Sequence, residues 1–146
     1  MIKEMKEVEI LLVEDDKGDV KMTQYGLAAA KLLVNLSVVD DGEKAINFLR
    51  KASPYVDAPT PDLILLDLNL PKKDGREVLK EIKFDSNLKI IPVCVLTTSD
   101  SDFDILNCYE YGANCYITKP IKFEDFSKVI KALNEFWFTI VKIPSR

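Results

Sequence analysis

Several apolar runs in this chain each lead into a polar residue capable of chemistry. Ile10–Val13 runs into Glu14, Asp15 and Asp16, Leu63–Leu66 into Asp67, and Val93–Leu96 into Thr97 and Thr98; the shorter run Cys115–Ile117 is soon followed by Lys119 and Pro120. A carboxylate at the end of a buried strand either caps a helix or takes part in a reaction. Asp16 and Asp41 read as caps; Glu14, Asp15 and Asp67 do not. Two carboxylates about 4 Å apart repel by roughly 4 kcal/mol at an effective dielectric near 20. A hard divalent cation with oxygen ligands removes that cost, and Mg²⁺ suits a site with few carboxylates and room for water. Taken formally, the charges of Glu14, Asp15 and Asp67 are balanced by Mg²⁺ and Lys119 together. A metal-held carboxylate is also a nucleophile toward phosphorus. Charge developing on a transferred phosphoryl group would meet the metal, the ammonium and a threonine hydroxyl.

For these residues to meet, the apolar runs must be strands of one sheet with their carboxyl ends on one edge. The runs are continuous, not alternating, as expected of strands covered on both faces of a parallel sheet. Val38–Val39, ahead of Asp40-Asp41-Gly42, ends a further strand. Between the runs lie segments with helical spacing. Met22, Gly26, Ala29, Ala30 and Leu33 form one stripe, Ala45, Phe48 and Leu49 a second, and Val78, Leu79 and Ile82 a third. Ile105, Leu106 and Tyr109 mark a fourth helix; Phe126, Val129, Ile130, Leu133 and Trp137 mark a fifth. Five alternations of strand and helix predict a (βα)5 doubly wound α/β fold with right-handed crossovers. In such a sheet, ligands bind at the carboxyl edge where the strand order reverses. Gly112 stands where a glycine would end the fourth helix.

Composition narrows the function. The chain has 146 residues, the size of one ordinary domain, and a formal net charge of −4 with no long basic run. Binding nucleic acid through a broad basic patch is therefore not expected. No apolar stretch reaches the roughly 18 residues of a membrane span, and "MIKEMKEVEILLV" lacks a signal-peptide core. A cytoplasmic protein is expected. There is no histidine, and the three cysteines (Cys94, Cys108, Cys115) form no C-x-x-C pair. Ser-His and Cys-His nucleophiles and H-E-x-x-H zinc sites are thereby removed, zinc is a poor candidate, and the cysteines read as buried, reduced thiols.

The chain resembles the receiver domains of two-component response regulators. "ILLVEDD" is similar to the family's acid-pair motif, "LILLDLNLP" to its phosphoacceptor strand, "VLTTS" to its hydroxyl motif and "GANCYITKP" to its lysine motif. The likeness covers roughly Glu7 to Phe138, with an apolar tail over residues 139–146. It implies a flavodoxin-like sheet of order 2-1-3-4-5 and a phosphoryl group accepted on Asp67 from a sensor histidine kinase. It further implies Mg²⁺ held by Glu14, Asp15, Asp67 and the main-chain carbonyl of Asn69. Thr97, with Thr98 beside it, and Lys119 would face the phosphoryl oxygens, and the bond before Pro120 would be cis. Thr97 and Tyr116 would form a switch, the ring moving inward as the hydroxyl shifts. Within the family, "LLVEDDKGDV", "LLDLNLPKKDGREVLKEIK", "IPVCVLTTS" and "NEFWFTIVKIP" look like the cyanobacterial phytochrome response regulators. That implies a light-sensing, phytochrome-type kinase as donor and a receiver acting without an attached output domain, an enzyme only toward its own phosphoryl group.

Other readings fit less well. An aspartate-based phosphohydrolase generally carries a second aspartate two positions after the nucleophile, where Asn69 stands. A receiver that binds partners without phosphorylation would lack the acceptor, the acid pair or the lysine. A flavin carrier needs a phosphate-cradling loop after the first strand, where "EDDKGD" would repel the phosphate. The fifth helix carries more apolar area than one buried face needs. Phe136, Phe138, Ile140 and Val141 are therefore expected to form the face of a homodimer.

Overall fold

The computed structural model describes residues 7–30 and 33–144. Strands β1 (Val8–Val13), β2 (Val34–Val39), β3 (Leu63–Leu66), β4 (Val93–Thr97) and β5 (Cys115–Thr118) alternate with helices α1 (Lys17–Ala28), α2 (Gly42–Leu49), α3 (Gly75–Phe84), α4 (Asp102–Glu110) and α5 (Phe123–Glu135). All strand pairings are parallel, and the sheet order is β2-β1-β3-β4-β5. The order reverses at β1, between β2 and β3, so the crevice expected from a doubly wound sheet opens at the carboxyl ends of β1 and β3.

Successive strand residues point to opposite faces. Leu11, Val13, Ile64, Leu66, Val93 and Val95 pack with α2, α3 and Cys108 of α4, whereas Ile10, Leu12, Leu63, Leu65, Cys94 and Leu96 pack with Leu27 of α1 and Phe126, Ile130 and Leu133 of α5. This double burial explains the unbroken apolar runs. Asp16, Asp41, Asp74 and Ser101 cap their helices through side-chain oxygens that accept from backbone N–H groups. Gly112 follows α4 with φ of 100°, a left-handed turn suited to glycine.

Two helical stripes differ from expectation. In α1 the buried residues are Thr23, Gly26 and Leu27, and Leu33 lies beyond the helix, 51 % exposed. Gly26 sets this face: a Cβ there would stand 2.6 Å from Ile130 Cβ, so α1 and α5 approach through the missing side chain. In α4 the buried residues are Asp104 and Cys108, while Leu106 and Tyr109 face outward. A buried carboxylate took the place the apolar pattern assigned to leucine. The cis X-Pro bond among the described residues is Ser53–Pro54; Lys119–Pro120 is trans, contrary to expectation.

After α5 the chain continues as a π-helical turn, Phe136–Ile140. Trp137 and Phe138 pack against the α1/α5 core cluster, Val141 is half-buried, and Phe136 is 49 % exposed. The apolar face expected of the tail is therefore smaller, because Phe138 folds back on the sheet side. The side chain of Ile140 lies outside the described residues.

Candidate functional site

The carboxyl edge gathers the residues that the sequence points to. Glu14 follows β1 and Asp67 follows β3, and their backbones extend the ladder: Glu14 N donates to Val39 O at 3.0 Å and Asp67 N to Val13 O at 3.1 Å. Lys119 follows β5, its N–H donating to Thr97 O at 2.7 Å. The ammonium Nζ of Lys119 donates to Glu14 Oε1, to Asp19 Oδ2 at 2.8 Å and to Asp67 Oδ2 at 2.9 Å. Glu14, Asp67 and Lys119 are buried, at 2 %, 7 % and 9 % exposed. An oxygen from each of Glu14, Asp15 and Asp67 lies within 4.8 Å of the others, with Asp15 on the exposed side.

One ammonium serving several carboxylates leaves an excess of negative charge. Burial, then the neighbouring Asp67, pushes the Glu14 carboxyl up to about 9, so it keeps a proton at neutral pH. Burial works against the Asp67 carboxylate too, but its close neighbour Glu14 and the hydrogen bond from Lys119 outweigh it and hold Asp67 below the ordinary range. Burial would discharge Lys119, yet its carboxylate partners hold it charged well above the usual lysine range. Asp67 is thus an ionised carboxylate at neutral pH, the form in which a carboxylate can act as a nucleophile. Glu14 Oε2 is buried with no protein hydrogen-bond partner, and a cation beside it would occupy a lone pair otherwise unsatisfied. With Asp15 and Asp67 it makes an all-oxygen donor set, which fits a hard divalent ion.

Thr97 is fully buried, and its Oγ1 has no protein partner. A hydroxyl left unpaired at the strand end can bond an arriving acceptor without breaking a prior contact. Thr98 is exposed. Asn69 donates its N–H to Asp67 Oδ1 at 3.3 Å. Tyr116 lies apart from the carboxylates: half-buried, it donates its hydroxyl to Ser99 O at 2.8 Å. An open cleft of about 300 Å³, lined by Glu14, Asp15, Lys17, Val20, Lys21, Gln24, Val38 and Asp40, adjoins the acid pair.

Asp19 is the site residue that sequence reasoning missed. Its signal was available: the Asp16 cap accepts from Asp19 N at 2.9 Å, so the first turn of α1 presents residue 19 to the edge. The links among Arg76, Asp104 and Ser99 were also missed, being spread over different elements.

Residues 10–131 match the response regulator receiver domain family. The chain belongs to that family. Response regulator Rcp1 of Synechocystis sp. is 46% identical over 136 residues, which cover 93% of this chain and 92% of that protein. The crystal structure of the Mn(2+)-bound form of response regulator Rcp1 superposes with a TM-score of 0.90, at 46% identity, covering 94% of this chain and 99% of that one. The phosphorylated cyanobacterial phytochrome response regulator RcpA superposes at 0.93, also with 46% identity, covering 96% and 100%. The flavodoxin-like receiver fold and the likeness to phytochrome response regulators are thus both established. Among the described residues, no helix of this receiver is long and apolar enough to cross a membrane.

Proposed function

We propose that this receiver takes a phosphoryl group onto Asp67 from the phosphohistidine of a sensor histidine kinase of phytochrome type. The observation that carries the reading is the buried, ionised Asp67 carboxylate held by Lys119 at 2.9 Å beside an acid pair that fits a divalent cation. In the transfer, an Asp67 oxygen forms the new bond to phosphorus as the P–N bond breaks, its electron pair passing to the imidazole. Lys119 and the free Thr97 hydroxyl then face the negative oxygens of the phosphoryl group. Glu14, Asp15 and Asp67, with the carbonyl of Asn69, would hold Mg²⁺, which when bound supplies positive charge to the carboxylates and the phosphoryl oxygens. That similar receivers have been captured with Mn(2+) and in phosphorylated form supports both assignments.

Output in this reading is a change of packing. Thr97 turning toward the phosphoryl group alters β4, Tyr116 on β5 responds, and the surface around α4 is presented differently to partners. We further propose homodimerisation through the end of α5, where Phe136 is exposed next to Val141. The kinase assignment is tested by phosphotransfer. A phytochrome-type kinase carrying labelled phosphohistidine is expected to lose its label to the wild-type chain and not to Asp67→Asn; equal transfer to both would sink the assignment.

A further inference from the structure

Arg76 bonds carboxylates other than Glu14, Asp15 and Asp67. It is the second residue of α3, and its guanidinium forks onto Asp104 of α4, with Nε 2.9 Å from Oδ1 and Nη2 2.8 Å from Oδ2. Its Nη1 also reaches Asp74, at 3.1 and 3.2 Å from the two carboxylate oxygens. A two-point contact between planar groups fixes orientation as well as distance. Asp104 is 9 % exposed, and its Oδ2 also accepts from Ser99 Oγ at 2.7 Å. The carbonyl of Ser99 accepts the Tyr116 hydroxyl at 2.8 Å. At its other end the chain of contacts reaches the acceptor. Gly75 N donates to Leu68 O at 2.9 Å, and a Cβ on Gly75 would stand 2.2 Å from Asp67 O. The start of α3 therefore rests directly on the backbone that carries Asp67.

We infer that Arg76 is a positioning residue: through Asp104 it holds Ser99, and with it the Tyr116 hydroxyl, in fixed relation to the loop that bears Asp67. The tether stands on these contacts alone; its consequence for signalling rests on the phosphoacceptor reading above. Two loops that belong to different strands are thereby joined by one ion pair. A displacement at either loop would be carried to the other through this contact, whose two-point geometry restricts how the Arg76 and Asp104 side chains can turn. The Tyr116 hydroxyl is bonded to Ser99 O, and the tether favours this arrangement over a released one.

The test is NMR of the full chain with ¹³C-labelled tyrosine rings, without phosphodonor, the Tyr116 signal being assigned by Tyr116→Phe. In Arg76→Gln and in Asp104→Asn the Tyr116 signal is expected to shift toward that of an exposed tyrosine. The double variant should shift no further than the larger single one, since both changes cut the same link. Arg76→Lys should restore part of the shift at most. Ser99→Ala, which leaves the Arg76–Asp104 pair intact and so does not endanger the fold, should move the signal in the same direction. A merely structural pair would lower the melting temperature and leave Tyr116 where it is. An unmoved Tyr116 signal in Ser99→Ala and Asp104→Asn, or additive shifts in the double variant, would overturn the inference. Phosphoryl uptake from acetyl phosphate, measured alongside, separates the two readings. Its absence in wild type would count against Asp67 as acceptor and not against the tether.

Discussion

At the scale of single residues, the controlling fact is that Lys119 is shared by Glu14, Asp19 and Asp67 in a buried place. Removing one partner of a buried ion cluster leaves uncompensated charge, so Lys119→Met is expected to cost about 3 kcal/mol of unfolding free energy. Part of that loss should return on adding a divalent cation, as read by thermal melts with and without Mg²⁺. The proton on Glu14 gives a second prediction. Its folded-state pKa is raised from 4.5 to about 9, so the stability it contributes is fully present below 4.5 and is lost as pH rises through about 9. A cation held by Glu14 would bind the ionised form and displace that proton. Divalent-ion affinity should therefore rise with pH, by roughly tenfold per unit at most while Glu14 is protonated, levelling near the shifted pKa. Calorimetric titration of Mn²⁺ across this range checks the slope, and Glu14→Gln should flatten it. A slope unchanged by Glu14→Gln would assign the proton elsewhere.

At the scale of elements, the carboxyl edge depends on how tightly β3 and α3 are joined. A Cβ at Gly75 would meet Asp67 O at 2.2 Å and Leu68 Cα at 2.5 Å, both backbone atoms with nowhere to yield. Gly75→Ala is expected to destabilise the fold by about 3 kcal/mol, measured by urea titration, and to slow phosphoryl uptake by displacing Asp67. Strands β1, β3 and β4 were legible in the sequence because burial on both faces writes a continuous apolar run, whereas the edge strands β2 and β5, only partly buried, left weaker marks. The α2, α3 and α5 stripes were legible because one face of each is buried. The α1 and α4 stripes were not. In α1 the contact with Ile130 is made by an absent side chain, Gly26, and in α4 the inward position belongs to Asp104. That carboxylate is held low, at about 2, chiefly by its hydrogen bonds with Arg76 and then Ser99. An inward residue that is polar because a distant arginine pairs with it leaves no periodic trace.

At the scale of the whole molecule, convergence at the carboxyl edge is legible in the sequence, because a parallel sheet brings its strand ends together whatever the intervening lengths. Glu14, Asp15, Asp67 and Lys119 were found that way. Asp19 and the Ser99–Asp104–Arg76 links were not, since their roles depend on where a helix turn or a neighbouring helix falls in space. The tail shows the converse error. Phe138 reads as surplus apolar area in sequence but packs on the α5 side of the sheet, leaving Phe136 as the exposed aromatic. If the chain pairs through this end, Phe136→Ser is expected to shift sedimentation from dimer toward monomer without changing the melting profile of the dilute protein. A monomer in the wild type would remove the dimer proposal. Phosphoryl acceptance by Asp67 with a cation's help is tested most directly by intact mass after incubation with acetyl phosphate. One added phosphoryl group is expected with Mg²⁺, none in its absence, and none in Asp67→Asn. An adduct that persists in Asp67→Asn, or a folded, Mg²⁺-bound wild type that never acquires one when turnover is slowed, would contradict the account.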